Sequence, residues 1–453
     1  MFVPPEHART NVFSRARSTT TDDATPAHPP LKPLYVIDSS VRSLDNNAQL
    51  RSSTASIFAT SKGAVGIDFK NEEAQRQLTQ ALLSRDFGLT LGSLPSDRLC
   101  PPVPNRVDYV LWIQDIVDKT FEVDPGTSSV LGIDMSVLAS LILTGGIPHD
   151  SNLWGALDID KKSLLSAEKN IASNILQEQI TLWTSKPNEK VLSPIFANPE
   201  QRFMFTMCNP PFYSSYSEAV NSPIVKEFDP FAVCTGAEVE MVTEGGEVGF
   251  VRRIIMESKE LGERCSWYTS LLGKSSSVAS LVETLKEQSI DNYGVTELVQ
   301  SHTKRWVILW SFGDIRLPDT LCRVSRSQFA GHMPHPNNMV QAISQTTVSG
   351  VISSTLTILN SLPAVRWSQT PQGDVSQPVV ITASATANCW SRSARRKAGA
   401  FSDDGPAVLT CQFTVTSEAD SKVNLYCQWV RGRERGLFES FWSHVSRKVA
   451  EKQ

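Results

Sequence analysis

Phe203-Met-Phe-Thr-Met-Cys-Asn-Pro-Pro-Phe212 decides the fold. Its first six residues are apolar apart from one threonine. A short apolar run closed by a turn signal reads as a strand buried on both faces. Asn209-Pro210-Pro211-Phe212 follows at the carboxyl end. Two consecutive prolines rigidify the backbone and remove two donors, so the carbonyls of the turn point outward as acceptors. The Asn209 side chain adds another acceptor. An exocyclic amine presents two N–H groups, which an Asn oxygen and a prolyl carbonyl together can hold. Phe212 then offers a face on which a planar base can stack. Such a turn aims a weakly nucleophilic amine without a strong base. The plainer alternative is a rigid loop after a strand.

The flanking sequence alternates strands and helices. Ser129–Ile133 reads as a short buried strand ending at Asp134, and Trp154–Leu157 as another ending at Asp158. Asp160–Asn174 is an amphipathic helix. Beyond the turn come a helix over Glu247–Leu261, a strand over Trp267–Leu272 and a helix over Val278–Gln288. Strands over Val295–Val299 and Trp306–Phe312 complete the series. This alternation predicts an α/β fold, a mostly parallel sheet flanked by helices. Ligands bind at the carboxyl ends of such strands. Asp158 is placed there to accept hydrogen bonds from the two ribose hydroxyls of a nucleotide-like cofactor, or else to cap the helix that follows.

Upstream, Asn71–Phe87 has helical spacing, with Asn71 as N-cap and Gly88 as stop. Arg106–Lys119 reads as a second helix. Residues 63–126 are therefore expected as a helical module, 127–316 as the sheet domain and 317–350 as a proline-containing linker. Residues 351–453 are expected as a small α+β domain with strands at Pro378–Ala385 and Val408–Ser417 and a terminal helix. Residues 1–62, rich in Ser, Thr, Pro and Arg, are expected to be a largely disordered basic arm.

The 453 residues are 40% hydrophobic and 20% charged, which excludes wholesale disorder. No apolar run reaches the ~18–20 residues needed to cross a bilayer, so no membrane role is expected. The first residues lack the apolar core of a secretory signal. A formal charge of −4 excludes a polycation, so nucleic-acid contacts must come from local patches. Eight cysteines form no C-x-x-C pair and no zinc-finger spacing. They read as reduced, mostly buried thiols, with no metal site.

Several blocks together resemble the N6-adenine RNA methyltransferases that modify U6 small nuclear RNA, with bacterial relatives acting on large-subunit ribosomal RNA. They are Pro104-Asn-Arg-Val-Asp-Tyr-Val-Leu-Trp112, Gly132-Ile-Asp134, Cys208-Asn-Pro-Pro-Phe212, Glu244-Gly-Gly-Glu247, Trp267-Tyr268, Leu272-Gly-Lys274 and Arg305-Trp306. The resemblance runs from about Phe69 to Phe312. It implies a Rossmann-like class I fold and S-adenosyl-L-methionine as cofactor. By matching motif, Arg106 would contact the cofactor's carboxylate. Asp134, Ser136 and Asp158 would line its site, with Asp158 on the ribose. Asn209 would touch both cofactor and adenine, and Pro210, Pro211 and Phe212 would complete the base pocket. Where the family reads Gly-Thr-Gly, this chain has Ser136-Val137-Leu138. Valine and leucine disfavour positive φ and fill space with Cβ atoms, which predicts weakened cofactor affinity.

Lys274 and Arg305 fall in matching blocks and are expected to contact RNA. Cys389-Trp-Ser-Arg-Ser-Ala-Arg-Arg-Lys397 carries four cations, one aromatic and no acid. Trp390, Arg392, Arg395, Arg396 and Lys397 are accordingly expected to bind phosphates and stack bases. The function implied is methylation of adenine N6 in structured RNA, U6 small nuclear RNA being favoured, in the nucleus with the cytoplasm as alternative. Rival readings are a catalytically impaired RNA-binding homologue and a protein glutamine methyltransferase, which shares the N-P-P turn.

Overall fold

The computed structural model describes residues 71–92, 94–98, 100, 103–125, 131–135, 153–186, 189–221, 238–300, 303–324, 327–344, 346–370, 379–396, 405–417 and 422–451. The arm over 1–62, Ser136-Val137-Leu138 and Lys397 lie outside these residues. Two units are present. One is built from 1–117, 126–312 and 324–333, the other from 118–125, 313–323 and 334–453.

The first unit begins with α1 (Glu72–Phe87). Asn71 caps it as the sequence predicts, accepting from the backbone N–H groups of Glu73 and Ala74. Helix α2 spans Val103–Val123. There follow β1 (Leu131–Asp134), β2 (Leu153–Asp158), α3 (Lys161–Ser173), β3 (Ile180–Thr184), β4 (Phe203–Met207), α4 (Gly246–Leu261), β5 (Cys265–Leu272), α5 (Ser275–Glu287), β6 (Tyr293–Gln300) and β7 (Thr303–Trp310).

The seven strands form one sheet in the order β3-β2-β1-β4-β5-β7-β6. Pairing is parallel from β3 across to β5, while β7 runs antiparallel to both of its neighbours. Strand β4 lies at the centre and all five of its residues are buried, which explains its unbroken apolar sequence. Chain order runs outward from β1 through β2 to β3, then returns to β4 and moves the other way. The carboxyl ends of β1 and β4 therefore flank the point where strand order reverses, the place where open α/β sheets bind ligands.

Burial of Val251, Ile254 and Ile255 of α4 and Leu281 and Leu285 of α5 in one apolar cluster with β5 and β7 fastens these helices. Each such side chain contributes roughly 1.5–3 kcal/mol on leaving water. Trp310 stacks on Tyr268 with centroids 5.8 Å apart, and its indole N–H donates to Ser258.

The second unit holds β8 (Asn338–Ser344), α6 (Val348–Asn360), β9 (Val365–Gln369), β10 (Val380–Ala385), β11 (Leu409–Ser417), β12 (Lys422–Gly432) and α7 (Arg435–Glu451). Its antiparallel sheet has the order β8-β12-β11-β10-β9. Residues 317–350 are thus not simply a linker: they contain β8 and the first turn of α6. Strand β8 sits at a sheet edge with most of its residues partly exposed, so its sequence lacks the apolar density that marks a buried strand. The preceding segment is also tied in. The Arg316 guanidinium lies 4.3 Å over the Trp429 ring and donates to the Gly432 carbonyl.

Candidate active site

At the sheet's reversal point, Met135 N–H donates to the Met207 carbonyl at 2.9 Å, which joins the end of β1 to the end of β4. Asp134 is fully buried there. Arg106 of α2 is 6% exposed, and its Nε finds no hydrogen-bond partner among the described residues. Burial pushes this guanidinium below its usual range, and the Asp134 carboxylate opposes that shift. One turn later in α2, Tyr109 anchors the helix. Its hydroxyl lies 2.6 Å from Thr269 Oγ1, which in turn donates to the Thr206 carbonyl. The phenol oxygen also accepts from Cys208 N–H at 3.4 Å. Arg106 is therefore carried on a helix pinned beneath the carboxyl ends of β4 and β5.

Asp158 closes β2, next to β1. One of its carboxylate oxygens accepts from Asp160 N–H at 2.9 Å. The remaining acceptor capacity of the half-buried group suits ribose hydroxyls, and burial raises its pKa. The helix N-cap is Asp160, so Asp158 does not cap the helix and only braces the capping residue through that bond. Arg98 grips Asp160 with two hydrogen bonds of 2.9 and 3.1 Å and holds its carboxyl well below the usual range. The chain before α2 is further held to α3 by Asn174 and Asn170, which accept from Thr90 N–H and Gly92 N–H.

The buried Arg106 guanidinium, whose Nε has no partner among the described residues, and carboxylates at the ends of β1 and β2 form a donor and acceptor set that fits S-adenosyl-L-methionine. That molecule carries a carboxylate, an ammonium and a ribose. Arg106, Asp134 and Asp158 would hold it. Ser136, expected beside them, lies outside the described residues.

The Asn209–Phe212 turn is fixed at both ends. Leu271 N–H donates to the Cys208 carbonyl at 2.8 Å. Beyond the turn, Tyr213 N–H donates to the Met241 carbonyl and Thr243 N–H to that of Tyr213. Burial pushes the Cys208 thiol up to about 12, which excludes it as a nucleophile at neutral pH. Asn209, Pro211 and Phe212 are half-buried and Pro210 is buried. The ring of Phe212 rests on the backbone of Gly273, where an added Cβ would lie 2.9 Å from the ring.

Glu247, the last residue of the Glu-Gly-Gly-Glu block, is 2% exposed. Its carboxylate accepts from Gly273 N–H at 2.7 Å, Lys274 N–H at 3.0 Å and Ser277 Oγ at 2.5 Å. Sequence reading finds this block by likeness alone and gives it no task. A carboxylate following two glycines at a helix start is the available signal. Tyr109, Arg98 and Asp160 escape sequence reading as well.

Lys274 and Arg305 adjoin the turn. Lys274 Nζ pairs with Glu218 at 2.7 Å, and the Arg305 guanidinium lies 6.0 Å from the Phe212 ring centroid. The second basic segment divides differently. Arg392 and Arg396 are exposed on a short helix that includes Arg395. Trp390 is not available for stacking on a base. It is 2% exposed, packs on Phe441 at 4.8 Å and donates from its indole to Ser440 Oγ. An aromatic among cations reads as a surface residue, but here the apolar ring is drawn into the core and its polar atom finds a partner there.

A family model described as RNA methyltransferase matches residues 46–314. The chain is 36% identical over 390 residues to the U6 small nuclear RNA (adenine-(43)-N(6))-methyltransferase of Schizosaccharomyces pombe, covering 84% of this chain and 95% of that protein. It is 32% identical over 356 residues to the RNA N(6)-adenosine-methyltransferase mettl16 of Danio rerio, covering 76% and 74%. Among solved structures it resembles the hMettl16 catalytic domain in complex with MAT2A 3'UTR hairpin 1. The TM-score is 0.51 at 34% identity, over 58% of this chain and 90% of that one.

Proposed function

The chain belongs to the S-adenosyl-L-methionine-dependent RNA adenine-N6 methyltransferase family, and from that premise we propose that its substrate is U6 small nuclear RNA and its place of action the nucleus. The observation that carries this reading is the 36% identity spanning 95% of the fission-yeast U6 enzyme. Asn209-Pro-Pro-Phe212 at the sheet's reversal point supports it.

S-adenosyl-L-methionine supplies an electrophilic methyl group on a sulfonium centre. The protein's own work is positioning. Arg106 neutralises the cofactor carboxylate, Asp134 lines the site and Asp158 receives the ribose hydroxyls. The Asn209 side-chain oxygen and the Pro210 carbonyl accept the two N6 hydrogens of adenine, which turns the nitrogen lone pair toward the methyl group. Phe212 fixes the plane of the base. Orientation of this kind accounts for much of the rate in a displacement that needs no strong base. Lys274 and Arg305 hold phosphates beside the base pocket. The second unit binds RNA with little sequence preference through Arg392, Arg395, Arg396 and Lys397.

The test is methyl transfer from labelled cofactor to a U6 transcript and to transcripts in which single adenines are replaced by guanine. Loss of incorporation at one replacement identifies the acceptor. The second reading, a catalytically impaired RNA-binding homologue, is favoured by one observation, Ser136-Val137-Leu138 in place of Gly-Thr-Gly. It requires RNA binding without cofactor binding.

A further inference from the structure

We propose that Glu247 is a positioning residue for methyl transfer: its buried carboxylate holds the backbone of Gly273 against the ring of Phe212 and so sets the plane on which the target adenine stacks. This rests on the assignment of Phe212 to the base pocket.

Three donors converge on Glu247, from Gly273 N–H, Lys274 N–H and Ser277 Oγ. Gly273 and Lys274 form the turn between β5 and α5, and Ser277 lies in the first turn of α5. Glu247 opens α4, so one carboxylate joins two elements that flank the base pocket. What it holds is a surface with no slack. A Cβ on Gly273 would stand 2.9 Å from Phe212 Cδ1 and 3.1 Å from Cε1. The other side of Phe212 is set by the same block. Gly246 adopts φ 60°, and a Cβ there would lie 3.2 Å from the Phe212 carbonyl oxygen. Gly246 thus lies close against the Phe212 backbone, and Gly273, held by Glu247, lies against its ring. An amide at position 247 would turn an NH2 group toward N–H donors on one side, losing at least one of the three bonds and loosening the turn.

The experiment reads, with the full chain, the fluorescence of 2-aminopurine placed at the acceptor position of one RNA, which has no N6 amine and is not methylated, and measures kcat, KM and cofactor affinity separately with the same RNA carrying adenine there. The variants are Glu247→Gln, Gly273→Ala and Phe212→Ala. Wild-type protein quenches the base and Phe212→Ala relieves the quench. The expected result for Glu247→Gln is partial relief and a kcat at least tenfold lower, with RNA KM and cofactor affinity within about twofold of wild type. Gly273→Ala, which displaces the ring from the opposite side of the same contact, gives the same pattern and stands in if Glu247→Gln does not fold. A folded variant of either kind with wild-type quench and kcat overturns the proposal. If Phe212→Ala leaves the quench unchanged, it is the base-pocket assignment that fails.

Discussion

The hydroxyl of Tyr109 lies 2.6 Å from Oγ1 of Thr269, in a fully buried contact between α2 and β5. Three residues before Tyr109 in the same helix stands Arg106, with its Nε unpaired among the described residues. The contact thus fixes the helix that carries Arg106, the cation proposed to hold the cofactor carboxylate. Tyr109→Phe leaves Cys208 N–H without its acceptor. It is expected to cost about 1–3 kcal/mol of stability and to weaken cofactor binding more than RNA binding. Chemical denaturation and cofactor titration of the two proteins check this. Unchanged cofactor affinity would separate Tyr109 from the site.

Asn209→Ala removes the acceptor proposed for the adenine amine from a turn held at both ends by backbone hydrogen bonds. The fold is expected to persist. The rate of methyl transfer should fall by an amount equivalent to about 2–4 kcal/mol in the transition state, with cofactor still bound. Single-turnover kinetics at saturating cofactor read the effect. A wild-type rate would remove Asn209 from the catalytic machinery.

Arg98 and Asp160 give a pH prediction. The folded state depresses the Asp160 pKa, chiefly through the Arg98 hydrogen bonds. The carboxylate therefore contributes stability that is fully present above its ordinary value near 4 and is lost as pH falls toward the folded value. Arg98→Ala is expected to cost only about 1 kcal/mol at neutral pH, because solvent screens the pair, and less in acid. Its denaturation midpoint should approach that of wild type only as pH falls through the depressed folded-state value, well below the ordinary carboxylate range. Because Asp160 N–H also bonds to Asp158, the variant should lose cofactor affinity as well.

In the second unit, replacing Arg392, Arg395, Arg396 and Lys397 with Gln should weaken RNA binding. The salt dependence should flatten by roughly 0.7–0.9 log units per phosphate contact removed. Trp390→Ala should act differently, destabilising that unit by about 3–5 kcal/mol as a large core truncation. Binding titrated across salt concentrations distinguishes the two effects. An unchanged slope in the cation variant would leave the segment without an RNA role.

The triple substitution Ser136→Gly, Val137→Thr and Leu138→Gly is expected to tighten cofactor binding, because it removes two Cβ atoms and frees φ. Calorimetric titration of both proteins under one set of conditions decides. Equal affinity would mean that the present loop already follows a compatible path.

Legibility in the sequence follows burial and local chemistry. Strand β4 and its turn are readable because a strand buried on both faces is apolar without interruption, and two prolines mark where it stops. Helix α1 is readable from its caps. Strand β3 (Ile180–Thr184) escapes because it is a sheet edge with one fully buried residue. Strand β8 escapes for the same reason, and two nearby prolines add the appearance of a linker. The candidate site is legible where the proposed role rests on a residue's own chemistry, as with Asn209, Asp158 and Arg106. It is illegible where a residue acts by what it holds. Nothing in the spacing of Glu247 and Gly273, 26 positions apart, foretells that one carboxylate grips the backbone beneath Phe212. Trp390 is misplaced by sequence reading because the sequence shows its charged neighbours and not the direction of its side chain.

As proposed, this chain methylates adenine N6 in U6 RNA from the turn at Asn209. This is tested most directly by incubating the full chain with S-adenosyl-L-methionine and a U6 transcript, digesting the RNA to nucleosides and measuring N6-methyladenosine by mass spectrometry. N6-methyladenosine is expected at a single adenine, abolished by Asn209→Ala and by replacement of that adenine. Cofactor and RNA both bound, with no N6-methyladenosine formed, would contradict it.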